Sequence, residues 1–247
     1  MITDPLFYVV AVPAVLITAI SKGGFGGGLG LLGVPIMALI IAPQQAAAIL
    51  LPILCLMDLV GLWKFRGKSH LHSLQSLLPA ACVGIIIGAL TFKFFSADHI
   101  RIIVGLIAVI FSLNYWLKPS NLAPKKPSRL RGSFWGAIAG FTSFGVHAGG
   151  APLNAYLLPL KLVKSEYVGT SIIFFSTINF IKLVPYTLLG QFTFETLTTA
   201  ASLAILAPIG VLIGVHLHHK ISDKWFYQLC YSFLFIMGVK LLFDALY

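Results

Sequence analysis

The chain has 247 residues, of which 58% are hydrophobic and only 10% charged. A soluble domain carries about 25% charged residues, so this composition, with a mean hydropathy of +0.96, excludes an ordinary water-soluble fold. The net charge is +10, from 17 Lys and Arg against 7 Asp and Glu. These bases cluster between apolar blocks rather than on a face with interleaved aromatics, which argues against nucleic acid as a partner and for a bilayer with anionic lipid.

In chain order, the first apolar segment runs from about 6 to 20. Met1–Leu6 lacks the basic start of a signal peptide, so this segment is expected to stay in the mature protein. Further segments follow at 29–42, 45–63, 74–95 and 99–117. A basic, proline-containing stretch from Lys118 to Arg131 precedes a second set at 132–146, 150–163, 168–189, 197–216 and 225–246. Several approach the roughly 20 residues needed to cross a bilayer. In lipid each backbone amide must be satisfied within its own segment, which makes these helices. Strands of a membrane barrel would alternate in character, and these do not. The predicted fold is therefore all-α and polytopic, with about eight spans, or up to ten with the short ones. Its divisions are a first repeat over 1–117, a cytoplasmic basic linker over 118–131 and a second repeat over 132–247.

Paired landmarks suggest the duplication. Gly33-Val34-Pro35-Ile36 matches Gly150-Ala151-Pro152-Leu153, Asp58 matches Asn179, and Gly84-x3-Gly88 matches Gly210-x3-Gly214. Basic loops at Lys64–Lys68, Lys118–Arg131 and His218–Lys224 are assigned to the cytoplasm, with the N-terminus outside. The span 45–63 then runs inward and its partner 168–189 outward, so the repeats are inverted, a transporter architecture with substrate held near the midplane. The short segments 29–42 and 150–163 suggest broken or re-entrant hairpins.

The glycine run Ser21-Lys-Gly-Gly-Phe-Gly-Gly-Gly-Leu-Gly30, continuing to Gly33 and Pro35, is the strongest local feature. Irregular backbone at membrane depth must be buried in protein or line a wet cavity. Pro35 suits the first turn of a following helix, whose N-terminus favours an anion. Gly140–Gly150, followed by Pro152, repeats the design. The candidate substrate-binding set is Ser21, Lys22, Gly23, Gly24, Gly26, Gly27, Gly28, Gly33, Pro35, Thr142, Ser143, His147, Gly149, Gly150, Pro152 and Asn154. Gly84/Gly88 and Gly210/Gly214 read instead as helix packing. Lys22 is either a counter-charge for an anion or a snorkelling side chain. His147 is either a ligand or proton carrier, or a packed residue with one hydrogen bond.

Asp58, Asn179 and Lys182 form the candidate coupling set, because an acid within a span is costly and defaults to function. The competing reading is a structural pairing of Asp58 with Lys182 or Asn179. Lys240 is expected to snorkel. His216, His218 and His219 lack a nearby acid or thiol, so no metal is expected there. Cys55, Cys82 and Cys230 are dispersed and form no disulfide framework. No nucleophile elbow, HExxH or ATP motif is present, which argues against an enzyme or a primary pump, and no cofactor is expected.

The glycine runs, their prolines and the two-half layout resemble the TauE/SafE family of sulfite and organosulfonate permeases, over Gly23–Pro35 with the spans to Gly61, and Gly140–Pro152 with Gly169–Pro185. The likeness covers nearly the whole chain. It implies a protein that moves sulfite, sulfoacetate or another sulfonate, in either direction; a multi-pass location in a bacterial or archaeal inner membrane, and coupling to protons or the membrane potential, are expected with it. It places the site at residues 21–35 and 140–154. His147-Ala148 departs from the glycine expected there. A passive anion channel, or a transporter of another small anion, is the alternative. The partners expected are thus a small anionic substrate and lipid, with a homodimer as one possible assembly.

Overall fold

The computed structural model describes residues 1–27, 32–91, 97–117 and 124–246, so the first part of the expected linker, 118–123, lies outside the described residues. Its elements are α1 (Pro5–Phe25), α2 (Gly33–Met37), α3 (Pro43–Lys64), α4 (Leu71–Thr91), α5 (Ala97–Leu117), α6 (Arg129–Val146), α7 (Gly150–Leu157) with a 3-10 turn at Leu158–Leu160, α8 (Lys164–Leu188), α9 (Phe194–Leu203), α10 (Leu206–Lys220) and α11 (Asp223–Leu246). No strand occurs among the described residues. Five helices are long and apolar enough to cross a membrane: α1, α3, α4, α8 and most of α11. A sixth span arises if α9 and α10, bent by 42°, are taken together.

Local chemistry sets the helix ends. Asp4 caps α1 by accepting the Leu6 N–H, and Pro5 occupies the first turn. Ser128 caps α6 in the same way through the Arg131 N–H, so the last residues of the expected linker, Arg129 to Arg131, form the first turn of this helix. The break after α1 begins at Gly26, later than the glycine run suggests, because Ser21–Phe25 remain helical. Gly26 takes the left-handed conformation at φ 65° and returns its N–H to the Ser21 carbonyl. His147 does the same after α6, at φ 54°, bonding Thr142 O.

Glycines then decide which helices meet. A Cβ on Gly23 would lie 2.3 Å from Val211 O, and one on Gly214 would lie 2.2 Å from Ile20 O, so α1 and α10 touch backbone to backbone. A Cβ on Gly84 would lie 2.0 Å from Ala137 O, and one on Gly140 2.1 Å from Ala81 O, which locks α4 to α6 likewise. The order of these contacts makes both pairs parallel. Small residues permit such approach where lipid supplies no hydrophobic drive. The other two large contacts are antiparallel: α5 meets α11 through Gly105, Gly238 and the stacked rings of Tyr115 and Tyr231, and α3 crosses α8 at Asp58 and Asn179.

Matching positions recur along the chain. Asp58 and Asn179 are 121 residues apart. The same offset relates the left-handed caps Gly26 and His147, their acceptors Ser21 and Thr142, the neighbours Lys22 and Ser143, and the first residues of α3 and α8.

Candidate functional site

The crossing of α3 and α8, flanked by the ends of α1 and α6, encloses a recess of about 30 Å³. It is lined by Lys22, Gly27, Leu54, Ser143, His147, Gly150, Phe175 and Asn179. Four of these carry polar side chains, and each comes from a helix end or crossing that the fold holds rigidly.

Behind that lining stand two buried charges. Asp58 is wholly buried; one carboxylate oxygen sits 2.7 Å from Lys22 Nζ, and the other accepts from Asn179 Nδ2 at 2.8 Å. Lys22 also donates to Leu54 O at 3.4 Å. Lys182, equally buried, donates to Ser143 O at 3.0 Å, Ser143 Oγ at 3.1 Å and His147 Nδ1 at 2.7 Å. Thus Asp58 steadies Lys22 and Asn179, while Lys182 steadies Ser143 and His147. The expected pairing of Asp58 with Asn179 is present; Lys182 instead faces α6.

Hydrogen-bond accounting gives the recess its character. The Ala47 carbonyl, 3.0 Å from His147 Nε2, can only accept, so Nε2 carries the hydrogen and Nδ1 is bare. His147 is therefore neutral, with both nitrogens engaged, and presents a ring wall stacked on Tyr186. Ser143 Oγ accepts from Lys182, which leaves its own hydrogen to donate. Asn179 uses one of two N–H groups on Asp58. Lys22 uses two of three ammonium hydrogens on Asp58 and Leu54. Lys22, Ser143 and Asn179 thus each keep one hydrogen to donate, beside the Asn179 carbonyl oxygen, and two lysines stand against one carboxylate. Apolar Leu54 and Phe175 complete the wall, with Lys22 Nζ 5.8 Å from the Phe175 ring centroid. A recess with three side-chain donors and more lysines than carboxylates suits an anion.

The remaining sequence candidates sit elsewhere. Gly23 and Gly24 pack on Val211 and Gly214 of α10. Gly26 shapes the turn, where a Cβ would strike Tyr167 and Ser171. Ser21 and Thr142 lend carbonyls to the two caps, and the Thr142 hydroxyl bonds Ile138 O and Ala148 O. Gly149 abuts Ala139 O and Ser143 Cβ. Asn154 accepts from the Tyr167 hydroxyl at 2.6 Å, tying α7 to α8. Pro152 lies in the first turn of α7. Of the two anticipated helix starts, that of α7 borders the recess at Gly150; Gly33, which opens α2 ahead of Pro35, packs against Leu50 and Thr18. Gly28 lies outside the described residues. Leu54, Phe175 and the Ala47 carbonyl escaped sequence reasoning, since an apolar wall or a main-chain oxygen carries no signal within an apolar span.

A family described as sulfite exporter TauE/SafE matches residues 11–241. No curated protein and no solved structure matches the chain.

Proposed function

The chain belongs to the sulfite exporter TauE/SafE family, and from that premise we propose that it is a secondary transporter for a small sulfur-containing anion such as sulfite, sulfoacetate or another organosulfonate. Members of the family are membrane transporters and not enzymes, and the several long apolar helices agree with a multi-pass membrane protein. The observation that carries the substrate reading is the recess with donor hydrogens to spare on Lys22, Ser143 and Asn179, backed by Lys182 and Asp58. At ~10–15 Å³ per water-sized group, its volume admits two or three such groups, the scale of an inorganic oxyanion more than of an extended one.

We read the chain as two inverted repeats, 1–117 and 132–247, joined by the cytoplasmic linker 118–131, with about eight spans, the N-terminus outside, and an inner-membrane location. The shared 121-residue offset supports this, as does the exchange symmetry of the packing: α1 on α10 answers α6 on α4, while α3 on α8 and α5 on α11 each answer themselves. Asp58 and Asn179 then straddle the axis relating the halves, where transporters hold their cargo. Basic loops face anionic lipid.

Proteoliposome counterflow tests this reading. Sulfite should show saturating exchange, and Ser143→Ala, which removes one hydrogen bond to a charged ligand worth about 1.5–3 kcal/mol, should weaken it by about 10- to 100-fold. Equal exchange by the variant would remove the site, and conductance without saturation would point to a channel.

A further inference from the structure

The charges around the recess do not balance. Lys22, Lys182 and Asp58 are its buried ionisable side chains, at 5%, 0% and 0% exposure; the Lys22–Asp58 pair and the three acceptors around Lys182 Nζ favour the charged form of each, and His147 is held neutral by Ala47 and Lys182. With these three charged, the protein's own side chains contribute one surplus positive charge to the site. A bound monoanion cancels it. A bound dianion overshoots and leaves a net negative site, unless one proton enters with it.

Building on the transporter reading above, we propose that Asp58 is the proton acceptor that matches the site to its cargo, so that a dianion is bound with one proton and a monoanion with none. A carrier must move its loaded site through a low-dielectric barrier, and uncompensated charge there is expensive. Both loaded forms are then neutral.

The geometry places the proton on Asp58. Its two oxygens are held by Lys22 and Asn179. An anion drawn to Lys22 sets a second negative centre beside this carboxylate and competes for the same ammonium. Protonation of the oxygen facing Lys22 releases that ammonium to the anion, while the other oxygen keeps the Asn179 N–H. The other groups facing Asp58 from its packed elements are poor acceptors. Lys22 on α1 and Lys182 on α8 already hold their protons. His147, beside α6, has its bare nitrogen blocked by Lys182. Cys55, a turn away on α3, is a thiol that can only lose one. Glu195 of α9 and His218 of α10 lie toward opposite ends of α3, against Gln45 and Phe65, and α2 contributes no titratable group.

Calorimetric titration of the purified full chain, in buffers of different ionisation enthalpy, counts the protons. Sulfite at alkaline pH, a dianion, should bind with one proton taken up, and its Kd should rise about tenfold per pH unit. Methanesulfonate, a monoanion, should bind with none and show a flat profile. Asp58→Asn should take up no proton with sulfite and lose the pH slope, whatever its affinity becomes. Sulfite bound without a proton, methanesulfonate bound with one, or an Asp58→Asn variant that still takes one up would each overturn the proposal. If that variant fails to fold, sulfate decides: a dianion too weakly basic to carry the proton itself should still bind with one proton taken up, and sulfate bound with none would overturn the proposal; if methanesulfonate fails to bind, wild type against variant on sulfite decides. Absence of binding by both anions would strike the anion-transport reading itself.

Discussion

Lys22 and Lys182 are both buried lysines held in opposite ways, and their removal should differ accordingly. Lys22 pairs with a carboxylate, so Lys22→Met leaves Asp58 as an unpaired buried charge, a loss of about 3–5 kcal/mol. The double variant K22M/D58N should recover most of that stability, as read by thermal unfolding in detergent. No recovery would mean that the pair contributes nothing beyond packing. Lys182 has only neutral acceptors, so its own burial is costly and Lys182→Met should keep or raise the melting temperature. It should nonetheless weaken sulfite binding by at least about tenfold, because the Ser143 hydroxyl and the His147 ring lose their anchor. Intact affinity would remove the anchoring role. All six polar members of this cluster were visible in the sequence as polar residues inside apolar blocks. Their pairing was not: Lys182 stood as open to Asp58 as Asn179 did, and only the packed end of α6 gives it Ser143 and His147 instead.

At the scale of elements, the glycines divide into those that turn the chain and those that let helices touch. Gly84→Ala and Gly214→Ala each place a Cβ within about 2 Å of a facing carbonyl on another helix, which only separation of the pair can relieve. Both should cut the folded, monodisperse yield sharply in size-exclusion chromatography. Gly67→Ala meets no atom within 4 Å and violates only its φ of 75°, a cost of roughly 1–2 kcal/mol, so it should retain most of the yield. Equal losses at all three would show that helix contact is not what these glycines serve. The packing role of Gly84, Gly88, Gly210 and Gly214 was legible from their spacing alone. For Gly23 and Gly24 the same role was hidden, since they sit within a longer glycine run whose later members do break the helix. Only the presence of Val211 and Gly214 opposite them separates one use from the other. The bend between α9 and α10 was likewise invisible inside one continuous apolar segment.

For the molecule as a whole, the inverted arrangement proposed above predicts which loops share a side. With Cys55, Cys82 and Cys230 replaced, single cysteines at Lys68 and Lys125 should react with a membrane-impermeant maleimide from the same face, and one at Gln191 from the other. Labelling of Gln191 and Lys125 from one face would rule out the inversion. The order of amino acids is enough to say that the chain lives in a bilayer, that it is helical, and that its helices are interrupted at glycine-rich stretches. Those properties depend on span length, on the absence of water to satisfy amides, and on local φ preferences, all of which act between near neighbours. It took the packed helices to show that Asp58 holds Lys22 and Asn179, that Lys182 holds Ser143 and His147, and that Lys22, Ser143, His147 and Asn179 line one recess. A hydrogen bond is satisfied across about 3 Å of space and is indifferent to distance along the chain, so residues from four helices choose their partners only once the helices have packed.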